Sequence, residues 1–190
     1  MRSAIPEKLL ALVDAIDAQG SANLTRLTVL KKWFEPPGRL PAFGLWVAQQ
    51  AAGRKGKAKA GAGALLNEAR ALLGSTAARE RRTIDHRAAA SLHDRARDFQ
   101  QEFEQHRWVS VRIIPCWPLL LVEKGLALYI RRADAPADGY KLAADFCQHY
   151  DPRYGNSLCG PSRTKVMEIV RFMFTLEATE DSEPARERRG

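Results

Sequence analysis

Trp117-Pro118-Leu119-Leu120-Leu121-Val122-Glu123-Lys124-Gly125-Leu126-Ala127-Leu128-Tyr129-Ile130 is the stretch on which the fold turns. Two templates fit it. A helix opened by Pro118 places Leu119, Val122, Leu126 and Tyr129 or Ile130 on one face. A tight hairpin would instead turn at Lys124-Gly125. The preceding residues favour a strand, because Val109, Val111 and Ile113 alternate with Ser110 and Arg112. A short apolar run cannot be assigned by periodicity alone. The helix template is the better match, and it makes the chain mainly α, with room for a short strand pair near residues 109–130.

Working outward, the other segments read as helices. Before the central stretch, Ile5, Leu9, Leu12, Val13 and Ile16 follow Pro6 at helical spacing and stop at Gly20. Asn23 is positioned to cap a second helix carrying Leu24, Leu27, Leu30 and Phe34, which Pro36-Pro37-Gly38 must end. Leu40, Phe43, Val47 and Ala51 mark a third. Leu65, Leu66, Ala69, Leu72 and Leu73 mark a fourth, and Asp85 caps a fifth with Ala88, Leu92, Ala96, Phe99 and Phe103 inward.

After the central stretch, Asp134 to Gly139 reads as a loop and Tyr140 to Tyr150 as a helix with Leu142, Ala143, Phe146 and Tyr150 inward. A polar turn follows. A last helix carries Val166, Ile169, Val170, Met173 and Leu176. The expected architecture is a compact bundle of about six or seven helices. It forms one domain over residues 1–177, with a mobile basic loop at 53–63 and a disordered charged tail at 178–190.

Charge is the most distinctive bulk property. Thirty Lys and Arg oppose 22 Asp and Glu, a net charge of +8. Such an excess favours polyanionic partners. It is also uneven. Arg26, Lys31, Lys32, Arg39, Arg54, Lys55, Lys57 and Lys59 share the stretch from 26 to 59 with a single acid, Glu35. Cations so placed would neutralise phosphates and release counterions. The arginines between Arg79 and Arg97 extend the same character. The connection through Pro36-Pro37-Gly38-Arg39 is near the length of a helix-turn-helix turn, and Arg39, Gln49 and Gln50 are residue types that read base edges. Phe43, Leu45, Trp46 and Val47 leave that helix little polar surface, so a core helix is the better reading. Trp33 and Trp46 lie in the basic region, yet buried packing is the commoner fate of tryptophan over base stacking.

The chemistry-bearing residues form no specific catalytic signature. His86 and His93 stand seven residues apart, about 10.5 Å along a helix axis, too far for one metal ion, and read as surface histidines on a charged face. Cys116, Cys147, His149 and Cys159 lack the close ligand pairs of a zinc site. Three scattered cysteines do not make a disulfide framework, and no apolar run approaches membrane-spanning length. A cytoplasmic chain with no cofactor and no membrane partner is expected.

The loop from His149 to Arg163 is the remaining candidate. It feeds a helix N-terminus through Gly160-Pro161-Ser162, where backbone N–H groups favour an anion, and His149, Arg153, Ser162, Arg163 and Lys165 could complete such a site. The competing reading is a structural turn with Ser162 as a helix cap.

Three functions from different classes follow. The first is a non-catalytic protein associating with DNA or RNA through its basic stretch. The second is a scaffold subunit binding an acidic protein through the same charges. The third is an enzyme or binding protein for a small anionic ligand at residues 149–165.

Overall fold

A computed structural model of the chain describes residues 33–53, 61–74, 84–105, 116–148 and 163–180. These contain six helices: α1 (Arg39–Ala52), α2 (Ala62–Leu73), α3 (His86–Gln105), α4 (Trp117–Tyr129), α5 (Pro136–Gln148) and α6 (Arg163–Glu180). Among the described residues there is no strand, and no helix is long and apolar enough to cross a membrane. The alternating Val109–Ile113 segment, the helices expected before Trp33 and residues 54–60 of the basic loop expected at 53–63 lie outside the described residues; the end of that loop is corrected, since α2 already begins at Ala62. Contacts group the chain into two compact units, one spanning Leu30–Asp145 and the other comprising Met1–Val29 with Phe146–Gly190.

Local sequence explains the helix starts. Gly38 sits ahead of α1 with φ 89°, a left-handed conformation that a residue without Cβ adopts readily. Asp85 caps α3 as its position suggests: its Oδ1 accepts from the N–H groups of Arg87 at 2.7 Å and Ala88 at 3.1 Å. Pro118 stands in the first turn of α4. The hairpin alternative at Lys124-Gly125 is overturned, because both residues are inside α4. This helix is buried on most of its circumference, at Leu119, Leu121, Val122, Gly125, Leu126, Leu128 and Tyr129. A helix apolar all round belongs in the middle of a core, which is why its periodicity was hard to tell from a strand's.

The Leu30–Asp145 unit is built on α4. α1 crosses it directly, α3 packs along it, and α2 touches α1, α3 and α4. The crossing of α1 and α4 is tight: a Cβ built on Gly44 would lie 2.4 Å from the carbonyl oxygen of Gly125 and 2.6 Å from Leu128 Cβ. α1 buries Leu40, Phe43, Gly44, Leu45, Val47, Ala48, Ala51 and Ala52. That makes it a core helix, in line with the apolar residues that weigh against a groove-reading role. Beside it runs an aromatic cluster: Trp33 edge-on to Phe34 at 5.2 Å, Phe34 to Phe43 at 5.0 Å, and Phe43 stacked on Trp46 at 5.8 Å. Trp33 is buried, so its ring is spent on packing.

The loop expected over Asp134–Gly139 is shorter than the sequence suggests, since α5 begins at Pro136. Proline suits a first helical position, Asp138 lies in the first turn, and Gly139 is buried under Phe34 and Leu40. In sequence Gly139 suggests a loop, yet its missing side chain is what lets α5 close on Phe34 and Leu40. In α6 the expected residues Val166, Ile169, Val170, Met173 and Leu176 are all buried, and the helix continues to Glu180.

Candidate functional site

Of the eight cations in the basic stretch, the described residues include Arg39 alone. Arg26, Lys31, Lys32, Arg54, Lys55, Lys57 and Lys59 lie outside them. Arg39 is half-buried; its Nη1 donates to the backbone oxygen of Trp33 at 3.2 Å, and its guanidinium carbon stands 5.0 Å from the centre of the Trp33 ring. Both contacts tie it to the turn before α1.

The charges divide sharply along the chain. The described residues hold 12 Lys and Arg against 14 Asp and Glu, and the remaining residues hold 18 against eight. On the helices, opposite charges meet repeatedly. Arg95 pairs with Glu68, Arg97 with Asp98 at 3.4 Å and Asp94 at 3.7 Å, Lys124 with Asp145, and Lys141 with Asp138 at 3.6 Å. Exposed pairs of this kind add little stability, but they cancel the local field.

A cleft of about 390 Å³ opens where the C-terminal ends of α1 and α2 converge, lined by Gln49, Gln50, Ala52, Gly53, Arg70, Leu73 and Gly74. Arg70 joins the two helices, donating from Nε to the Ala52 carbonyl at 2.6 Å and from Nη1 to Asn67 Oδ1 at 2.6 Å. The basic segments Arg54–Lys59 and Arg79–Arg82 follow in sequence from Gly53 and Gly74, which are both lining residues. A second cleft, of about 270 Å³, lies between the turn before α1 and the α4–α5 turn, with Phe34, Leu40 and Leu128 on its walls and Glu35, Arg131 and Asp134 among its polar groups.

The described residues also bring together a cluster that spacing could not foretell. His93, expected on the surface, is only 3% exposed. Its Nε2 lies 3.2 Å from Glu123 Oε1 on α4, and its Nδ1 lies 3.1 Å from Asp94 Oδ1 and 3.1 Å from Arg132 Nη1. Arg132 also grips Asp94 with both terminal nitrogens. The hydrogen bonds from Arg132 and then His93 hold the Asp94 carboxyl at about 2, well below its usual value. Next to this cluster, His86 stacks on Tyr129 at 4.7 Å, and the Tyr129 hydroxyl donates to the Ile84 carbonyl at 2.9 Å. Glu123 and Arg132 are 30 and 39 residues from His93, so only the packing of α3 on α4 reveals the set. A general acid–base role needs a ring nitrogen facing substrate. Here both nitrogens are engaged with protein groups and the ring is covered, so the cluster clamps α3 to α4.

Of the anion-site residues, His149, Arg153 and Ser162 lie outside the described residues, and Arg163 opens α6. Lys165 is buried, with Nζ at 2.8 and 2.7 Å from the two Glu168 carboxylate oxygens and 5.2 Å from the Phe146 ring centre. Its charge is thus met by a carboxylate of its own helix. Cys116 and Cys147 are buried free thiols, and burial pushes both thiols up, Cys147 far more. Among the described residues, no three His, Cys, Asp or Glu side chains are grouped to hold a metal ion.

The chain matches no known protein family, no curated protein and no solved structure.

Proposed function

We propose that this protein associates with nucleic acid through the phosphate backbone and catalyses no reaction on it. One observation carries the reading: Arg26, Lys31, Lys32, Arg39, Arg54, Lys55, Lys57 and Lys59 share the stretch from 26 to 59 with a single acid, Glu35. Within that stretch, Arg54–Lys59 holds four cations and no acid. Clustered cations of this kind bind phosphates by releasing counterions, in a way that depends on salt and little on sequence.

The test is a titration of the full chain against DNA, RNA and heparin across a salt series. Lys55→Glu, Lys57→Glu and Lys59→Glu combined should weaken binding to every nucleic acid about equally. The combination should also reduce the slope of log affinity against log salt by about three, roughly one unit for each lost phosphate contact. Retention of both affinity and slope in that variant would remove the proposal. Heparin bound as tightly as RNA and DNA would reduce it to general polyanion affinity.

A further inference from the structure

We infer that the cleft of about 270 Å³ between the turn before α1 and the α4–α5 turn is a site for a small zwitterion with an apolar body, in chemical terms a free apolar α-amino acid. This site uses none of the cations of the nucleic-acid reading above and stands apart from it.

The charges on the cleft differ from those on the rest of the Leu30–Asp145 unit. Elsewhere opposite charges meet: Arg95 with Glu68, Lys124 with Asp145, Arg132 with Asp94. Glu35, Arg131 and Asp134 line one cleft and carry both signs, yet their side chains form no ion pair or hydrogen bond, with each other or with any other group. A ligand of a single sign would face at least one like charge there. A zwitterion meets all three: its ammonium answers Glu35 and Asp134, and its carboxylate takes the guanidinium fork of Arg131.

Arg131 is also the one lining side chain with N–H donors. It is held at φ 58°, a backbone conformation in which glycine costs less. Residues kept in such conformations gather at binding sites. Between the charges, Pro36, Pro37, Pro41 and Pro136 line the cleft with rings and no backbone N–H, and Phe34 and Leu40 are buried behind them. Walls of that kind suit a hydrocarbon side chain. The volume lies just under the range of pockets that hold drug-sized ligands, which favours an occupant the size of one amino acid over a nucleotide or a peptide.

Calorimetric titration of the full chain with leucine, 4-methylpentanoate and 3-methylbutylamine tests the inference. The last two each keep the hydrocarbon and one of the two charges. Leucine should bind, and each analogue should bind at least about tenfold more weakly, the scale of one lost charge-assisted hydrogen bond. Arg131→Gly should lose leucine binding while unfolding at a higher urea midpoint than the wild type, so the loss is not one of folding. Glu35→Gln should weaken leucine and leave 4-methylpentanoate no weaker than before. No saturable heat with leucine at millimolar concentration overturns the site. So does either analogue binding as tightly as leucine, or leucine affinity retained in Arg131→Gly. None of these outcomes bears on salt-dependent binding of DNA or RNA, which is measured separately.

Discussion

Gly44 on α1 and Gly125 on α4 meet backbone to backbone. A Cβ on Gly125 would lie 2.5 Å from the Gly44 carbonyl oxygen and 3.0 Å from the Ala48 nitrogen, and one on Gly44 would strike Gly125 in return. Neither clash involves a side chain that could swing aside. Gly44→Ala and Gly125→Ala should therefore each destabilise the protein by about 2 kcal/mol or more, although alanine is the better helix former by about 1 kcal/mol. Gly53→Ala is the control: its φ is −67° and its nearest neighbour would be 3.4 Å away, so it should change stability by less than about 0.5 kcal/mol. Urea midpoints for the three variants decide the matter. A Gly125→Ala protein as stable as Gly53→Ala would mean that the two helices do not cross this closely.

The same pair shows how far the sequence could be read. Helical spacing located α1, α2, α3, α4 and α6; the expected stripes of α1 and α6 are buried, while in α2 and α3 Leu66, Ala69, Leu73, Leu92 and Ala96 are buried and Leu65, Leu72, Ala88 and Phe99 are half-buried. Gly125 pulled the other way, because a glycine beside Lys124 resembles a turn when its partner Gly44 is 81 residues away. Gly139 misled for the same reason: it serves the approach of α5 to Phe34 and Leu40. The His93 cluster was illegible because each member is an ordinary surface residue type. The excess of basic residues was plain from the sequence.

Arg131 is a non-glycine residue with φ 58°, just after α4. The Arg132 N–H reaches back to the Ala127 carbonyl at 2.9 Å, the closing bond of a helix C-cap in which glycine is the usual left-handed residue. The conformation costs an L-residue about 1 kcal/mol. Arg131→Gly should stabilise the protein by about that much, and Arg131→Ala should not. Thermal or urea unfolding compares them, and equal stabilities for the glycine and alanine variants would count against strain at this position.

His93 reaches Glu123 with one nitrogen and the Asp94–Arg132 pair with the other. His93→Ala leaves a cavity between α3 and α4 and removes a partner from each of three charged groups. A loss of about 2–3 kcal/mol is expected. Restoring an aromatic ring that lacks both nitrogens, as His93→Phe, should recover only part of it. Full recovery in the phenylalanine variant would show that packing alone, and not the polar bridge, holds the two helices.

Asp94 sets a pH signature. Its carboxyl is held at about 2 in the folded chain, against an ordinary value of 3.8. A depressed acid contributes stability above its unfolded value and loses that contribution as pH falls toward the folded one. The difference in urea midpoint between the wild type and Asp94→Asn should thus persist down to about pH 4 and shrink between about pH 4 and pH 2. A difference already gone at pH 5 would show that Arg132 does not hold the carboxylate.

The cysteines allow a chemical check on the core. The thiolate is the reactive form, and burial raises the thiols of both Cys116 and Cys147. Cys147 is fully covered and lies beside Lys165, whose positive charge favours the thiolate but is outweighed by the loss of water. In a Cys159→Ser protein, an aromatic disulfide reagent at pH 8 should therefore find no fast-reacting thiol in the native state and two after denaturation. Cys116, which is slightly exposed and less strongly shifted, should react before Cys147 as urea is raised. Rapid labelling of Cys147 in the native protein would contradict its burial beneath α6, and with it the placement of Lys165 over Phe146.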